Sequence, residues 1–191
     1  MYRMTVTNTA LLVLDFQRAL VSSCLDGATA VERATVAIAK AHQAGLPVIY
    51  GAVRLRPNHA EVSDRNEMFA AVAQSGAFDT GASTGEFHDE IAPADDDIVF
   101  VKRRVSAFSG SDLDVILRSL RIERVVLTGL FTSGVVLSTL REAADRDFQA
   151  IVLADACADP DPEVHKVLLT KVFPAQALVQ DVDSWNAAAV G

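Results

Sequence analysis

Short runs of consecutive apolar residues alternate along this chain with longer segments in which apolar positions recur every three or four residues. The runs are TALLVLD (9–15), PVIYGAV (47–53), DIVFVK (97–102), ERVVLTGL (123–130), QAIVLAD (149–155) and ALVQDV (177–182). A strand with apolar residues on both faces belongs in a parallel sheet covered on both sides by helices. The intervening segments supply those helices. Residues 28–44 read as an Ala-rich helix stopped by Gly45 and Pro47. In SDLDVILRSL, Ser111 caps the next helix and Asp114 completes a capping box. A third helix starts near Gly134 and runs to about Asp147, and Asp161 followed by Pro162 opens a fourth with proline at its favoured first position. Right-handed crossovers then predict a three-layer α/β/α sandwich, its sheet mostly parallel, doubly wound and about six strands wide.

One stretch breaks the alternation. Residues 54–96 are polar, contain Gly and Ser, and show periodicity only over NEMFAAVA (66–73). A loop this long inside a compact domain is usually a lid or a substrate wall.

Composition narrows the functional classes. A chain of 191 residues, half of them apolar, suits one domain spanning 1–191. The formal charge of −8, from 17 basic and 25 acidic side chains, disfavours nucleic acid as a partner. No apolar run approaches the roughly 20 residues needed to span a bilayer, and MYRMTVTNTA lacks the apolar core of a signal peptide. With only Cys24 and Cys157 there is no disulfide framework, and a reducing cytoplasm is the simplest location.

Three chemical features share one edge of the expected sheet. Asp15 closes the first strand, Lys102 closes the third, and the turn LFTSGV follows the fourth. Open α/β sheets bind ligands at the carboxyl ends of their strands, so a carboxylate, an ammonium and a helix N-terminus converge there if the first and fourth strands are neighbours. The ammonium would hold the carboxylate ionised and polarise a bound group, and free N–H groups at the start of the 134–147 helix would stabilise a developing anion. Each feature also has a plain structural reading: an Asp at a strand end caps turns, a Lys there is commonly a solvated charge, and TSG is ordinary turn composition. The four histidines are scattered without HExxH or paired Cys/His spacing. Dinucleotide and Walker A signatures are absent and no GxSxG elbow follows an apolar run, so no cofactor is expected. Cys157 reads as a buried structural cysteine, and Cys24 belongs to no motif.

Taken as an ordered set, LLVLDFQ (11–17), VKRRVSAFSGSDLDVILRSL (101–120), VVLTGLFTSGVVLSTLREAADRD (125–147) and VLADACAD (152–159) resemble the isochorismatase-like hydrolases, or cysteine hydrolase superfamily, over nearly the whole chain. The resemblance implies a three-layer sandwich, commonly a homodimer or homotetramer, acting on a small-molecule substrate. It implies an Asp–Lys–Cys triad whose Asp falls on Asp15 and whose Lys falls on Lys102. The Cys falls on Val135, which has no lone pair and cannot attack carbon, so acyl-enzyme chemistry at this position is excluded.

Three accounts follow from the resemblance. One is the isochorismatase route, vinyl-ether cleavage by proton transfer through the Asp, with Gln17 orienting substrate or water and Lys102 tuning Asp15. Those enzymes tend to carry glycine where Val135 stands. Another is hydrolysis of a C–N or C–O bond in a different small substrate, with Asp15 activating water. The third is a catalytically silent binding or scaffold protein in which Val135 fills the old pocket. Ser133 or Thr132 as substitute nucleophile is disfavoured, because the resemblance places the oxyanion site in the main chain around Phe131, Thr132, Ser133 and Gly134, with a cis peptide near Phe131–Thr132. The metal ligands of the nicotinamidase branch have no counterpart in GAVRLRPNHAEV, so no catalytic metal is expected. Arg54 is read as either an anion-binding residue or a surface charge, and Phe108 as a pocket wall.

Overall fold

The structure is a computed structural model that describes residues 8–188; residues 1–7, read above for a leader, and 189–191 lie outside the described residues. Each of the six apolar runs forms a strand: β1 (Thr9–Leu14), β2 (Val48–Val53), β3 (Ile98–Lys102), β4 (Arg124–Leu130), β5 (Gln149–Ala158) and β6 (Leu178–Gln180). They form one parallel sheet in the order β3-β2-β1-β4-β5-β6. The order reverses at β1, which pairs with β2 on one side and β4 on the other. This is the topological switch at which a crevice opens.

Burial explains the continuous apolar runs. All six residues of β1 are buried, and they divide by parity between two cores, because successive side chains of a strand point to opposite faces. Leu11 and Val13 join a core with α2 (Gly27–Gln43), whose Ala30, Val31, Ala34, Ala37 and Ala41 recur at helical spacing. Ala10, Leu12 and Leu14 join the opposite core with Leu113 and Leu117 of α4 (Leu113–Ser119) and Leu140 and Ala143 of α5 (Leu137–Asp145). Helices therefore cover both faces of the sheet.

Local signals hold with small shifts. Gly45, at φ 67°, takes the left-handed conformation that ends α2, and Asp161 accepts from the backbone N–H groups of Glu163 and Val164 to open α6 (Pro162–Val167). The expected capping box at Ser111 does not form. Asp112 is the cap residue of α4, and the Ser111 hydroxyl accepts from Leu113 N one residue too early to start the helix there.

Residues 54–96 are not structureless. They contain α3 (Glu67–Ser75), capped by the Asn66 side chain and ended by Gly76 at φ 64°, followed by single helical turns at Ser83–Gly85 and Asp89–Ile91. Val53, Leu55, Phe69 and Phe78 form a third, smaller core between this segment and the sheet. Gln17 ties the two together. Its amide nitrogen donates to the carbonyls of Val53 and Gly85, and its amide oxygen accepts from Val53 N at 2.9 Å. The side chain is buried and fully engaged, so it is a brace between elements and not the substrate-orienting group expected from the sequence. A buried group left without its partner costs about 1–3 kcal/mol, so Gln17→Leu, which strands three backbone groups, should lower the unfolding free energy by about 2 kcal/mol or more in urea titrations. An unchanged midpoint would refute the bracing role.

Candidate active site

The chain leaves β1 at Asp15, whose φ of 61° is left-handed and costs a residue with a Cβ about 1–2 kcal/mol. Its N–H donates to Gly51 O at 2.9 Å, which pins this turn against β2. Lys102 is the last residue of β3, two strands away, and spans the end of β2 to place Nζ 2.8 Å from Asp15 Oδ2. The same ammonium donates to Arg104 O at 3.1 Å and Val105 O at 3.0 Å. An ammonium has three protons, and here all three are committed. The polarising contact with a bound group expected of Lys102 is therefore not open to it.

Asp15 is differently placed. It is 5% exposed, its Oδ2 is held by Lys102, and its Oδ1 is buried without a hydrogen-bond partner. Burial pushes its carboxyl above the ordinary 3.8, and attraction to Lys102 opposes that shift without cancelling it.

The turn after β4 completes this edge. The cis peptide lies at Leu130–Phe131, one bond before the expected place. A wide helical turn, Thr132–Val136, then leads into α5. Its N–H groups are largely spent: Ser133 N donates to Asp159 Oδ2 at 2.7 Å, and Gly134 N and Val136 N donate to Phe131 O at 3.1 and 3.3 Å. The expectation of free donors for a developing anion fails at these three groups, because the turn satisfies them internally. Thr132 is buried with its hydroxyl 2.8 Å from His165 Nδ1, a contact that fastens α6 to the turn.

A cavity of about 410 Å³ opens over this edge. Asp15, Lys102, Phe131, Ser133, Gly134 and Val135 line it, all anticipated from sequence. Val135 is 2% exposed. Four anticipated residues do not line it. Gln17 and Thr132 are braces, and Arg54 pairs with Glu86 at 2.8 Å. Phe108 is not a pocket wall: it stacks on Phe148 beneath the Arg146 guanidinium, inside the core that holds α4 and α5.

Other lining residues escaped the sequence reading. Met68, Phe69, Val72 and Phe78 come from α3 and the segment after it, and Leu20, Val53 and Val105 complete the apolar wall. Asp159, Pro160 and Asp161 form the rim beyond β5. Asp159 had a usable signal, since it directly follows a parallel strand just as Asp15 does. Among the described residues, no group of three or more His, Cys, Asp or Glu side chains is placed to hold a metal ion.

With this geometry in place, comparison decides the family. The Isochorismatase domain matches residues 9–184. The chain belongs to the isochorismatase family. It is similar to the uncharacterized isochorismatase family protein YwoC of Bacillus subtilis, at 39% identity over 102 residues, and the match spans about half of each protein, 53% and 54%. It is 30% identical over 205 residues to the ureidoacrylate amidohydrolase RutB of Acinetobacter baylyi, covering 93% of this chain and 82% of that protein. A cysteine hydrolase from Pseudomonas syringae pv. phaseolicola shares the fold with a TM-score of 0.86 at 22% identity, over 96% of this chain and 92% of that one. The chain is thus an isochorismatase-family hydrolase with Asp15, Lys102 and Val135 around one cavity. Among its described residues no helix is long and apolar enough to cross a membrane.

The position of Val135 is testable by chemistry. Burial pushes the thiols of Cys24 and Cys157 up to about 11 and about 12. A thiol introduced by Val135→Cys would line an open cavity instead. Neither native cysteine lines that cavity, so iodoacetamide should label the introduced thiol faster than either. Equal labelling rates would show that position 135 does not face the cavity.

Proposed function

We propose that this hydrolase works by proton transfer through Asp15 on a small organic substrate, without a covalent enzyme adduct. The observation that carries the reading is the state of the buried pair: Oδ2 of Asp15 is held by Lys102, while Oδ1 lines the same buried edge with no partner. The other candidates for reactivity are disqualified on chemical grounds. Val135 offers no nucleophile, Lys102 has no spare proton, and three N–H groups of the turn are already donated. Acyl transfer needs a nucleophile and anion donors. Proton transfer needs one carboxyl of suitable pKa.

A vinyl ether is the substrate class that such a site converts most directly. The protonated carboxyl, favoured by burial, gives its proton to the terminal vinyl carbon. The C=C electron pair forms that C–H bond and leaves a cation stabilised by the ether oxygen. Water adds to the cationic carbon, and its proton returns to the carboxylate of Asp15. The hemiacetal so formed collapses to a carbonyl compound and an alcohol, and the enzyme ends as it began. Lys102 stabilises the carboxylate while the proton is away. One relative is named an amidohydrolase, but the nucleophilic sulfur that the family resemblance implies for acyl transfer is lacking at position 135 of this chain.

The pH dependence has a definite sign. The donor is the protonated form, which is populated below its pKa, and burial raises that pKa above 3.8. With phenyl vinyl ether as substrate, kcat/KM should therefore fall as pH rises through a value above 3.8. Asp15→Asn, which removes the proton, should lower kcat by roughly 10²–10⁴-fold with circular dichroism unchanged. A rate that rises with pH, or a fully active Asp15→Asn variant, would overturn the mechanism. Binding of the ether with no turnover would favour the catalytically silent binding protein.

A further inference from the structure

The charges around the cavity say more about its ligand than the catalytic pair alone does. Among the described residues, two carboxylates line its rim, Asp159 and Asp161, beside the Asp15 carboxyl and one cation, Lys102. That cation is saturated by Asp15 Oδ2 and the carbonyls of Arg104 and Val105. The arginines adjacent in sequence are also committed. Arg54 pairs with Glu86, Arg103 with Glu61 at 3.1 Å, and Arg104 donates to the carbonyls of Arg103 and Glu61. Among the described residues, no arginine or histidine lines the cavity. The backbone donors of Ser133 and Gly134, which could have taken an anion, are given to Asp159 and Phe131. What remains of the wall is apolar: Met68, Phe69, Val72, Phe78, Phe131 and Val135.

We propose that this cavity takes an uncharged, largely apolar substrate and rejects carboxylates. An anionic group entering it would lose its hydration shell and meet fixed negative charge with no free cation in exchange, which is costly. An uncharged ring or alkyl chain meets Phe69, Phe78 and Phe131 and loses only its hydration. The substrate class deepens the reading of Asp15 as proton donor and rests on it for the choice of a vinyl ether as the reactive group. The charge preference itself comes from the walls and the rim.

A matched pair of probes tests this, phenyl vinyl ether against 4-(vinyloxy)benzoate, with binding measured by calorimetry and turnover by acetaldehyde release. The neutral ether should bind at least about tenfold more tightly than the carboxylate. Met68 is 59% exposed on the cavity wall, so Met68→Arg adds a guanidinium without disturbing a core and should narrow that gap several-fold by strengthening carboxylate binding. Equal or tighter binding of the carboxylate by the unmodified protein, binding of neither probe, or a gap unmoved by Met68→Arg would overturn the proposal. The expected binding order without acetaldehyde would uphold the substrate class and overturn the proton-transfer reading instead.

Discussion

Burying an ammonium at the edge of a sheet is tolerable only when each of its protons finds an acceptor, since desolvation costs several kcal/mol per ion. The chain meets that condition at Lys102 with Asp15 and two carbonyls of the loop that follows β3. The consequences run through the site. β1 and β3 are joined across β2 at their carboxyl ends, the 103–105 loop is drawn under the cavity, and Asp15 is held by one oxygen. The remaining oxygen is left in a buried setting that favours the protonated form. One satisfied cation thus leaves the carboxyl as the group proposed to react.

The floor and the walls of the cavity have separate origins. The floor comes from the carboxyl edge of the parallel sheet, where β3, β2, β1 and β4 end in that order. The walls come largely from α3 and the residues after it, inserted between β2 and β3 and held down by Gln17 through Val53 and Gly85. The proposed chemistry and the proposed substrate preference therefore draw on different parts of the chain. Substitutions on α3 can reshape the cavity without touching the hydrogen bonds that place Asp15.

How much of this was legible in the sequence depends on the kind of fact. The strands were readable because full burial leaves continuous apolar runs, as in LLVL of β1. Asp15, Lys102 and the 131–135 turn were readable as neighbours because parallel topology alone sends strand ends to one edge. The failures concern partners. Gln17, Arg54 and Thr132 lie close to that edge in sequence, yet each is engaged by a residue at least 30 positions away: Gly85, Glu86 and His165. Phe108 was misplaced for a similar reason. An aromatic after a strand can face either way, and stacking on Phe148 decided it. The 54–96 segment was legible as a lid or wall but its lining residues were not, because α3 is short and shows its apolar face only once it packs on Val53 and Leu55.

The central claim is that Asp15 keeps a proton beyond the range of an ordinary carboxyl while paired with Lys102. Infrared difference spectra of ¹³C-aspartate-labelled protein against its Asp15→Asn variant isolate the carboxyl stretch of this one side chain. The account predicts a protonated-carboxyl band that persists above pH 3.8 and gives way to carboxylate only at higher pH. A band already lost at or below pH 3.8 would contradict it.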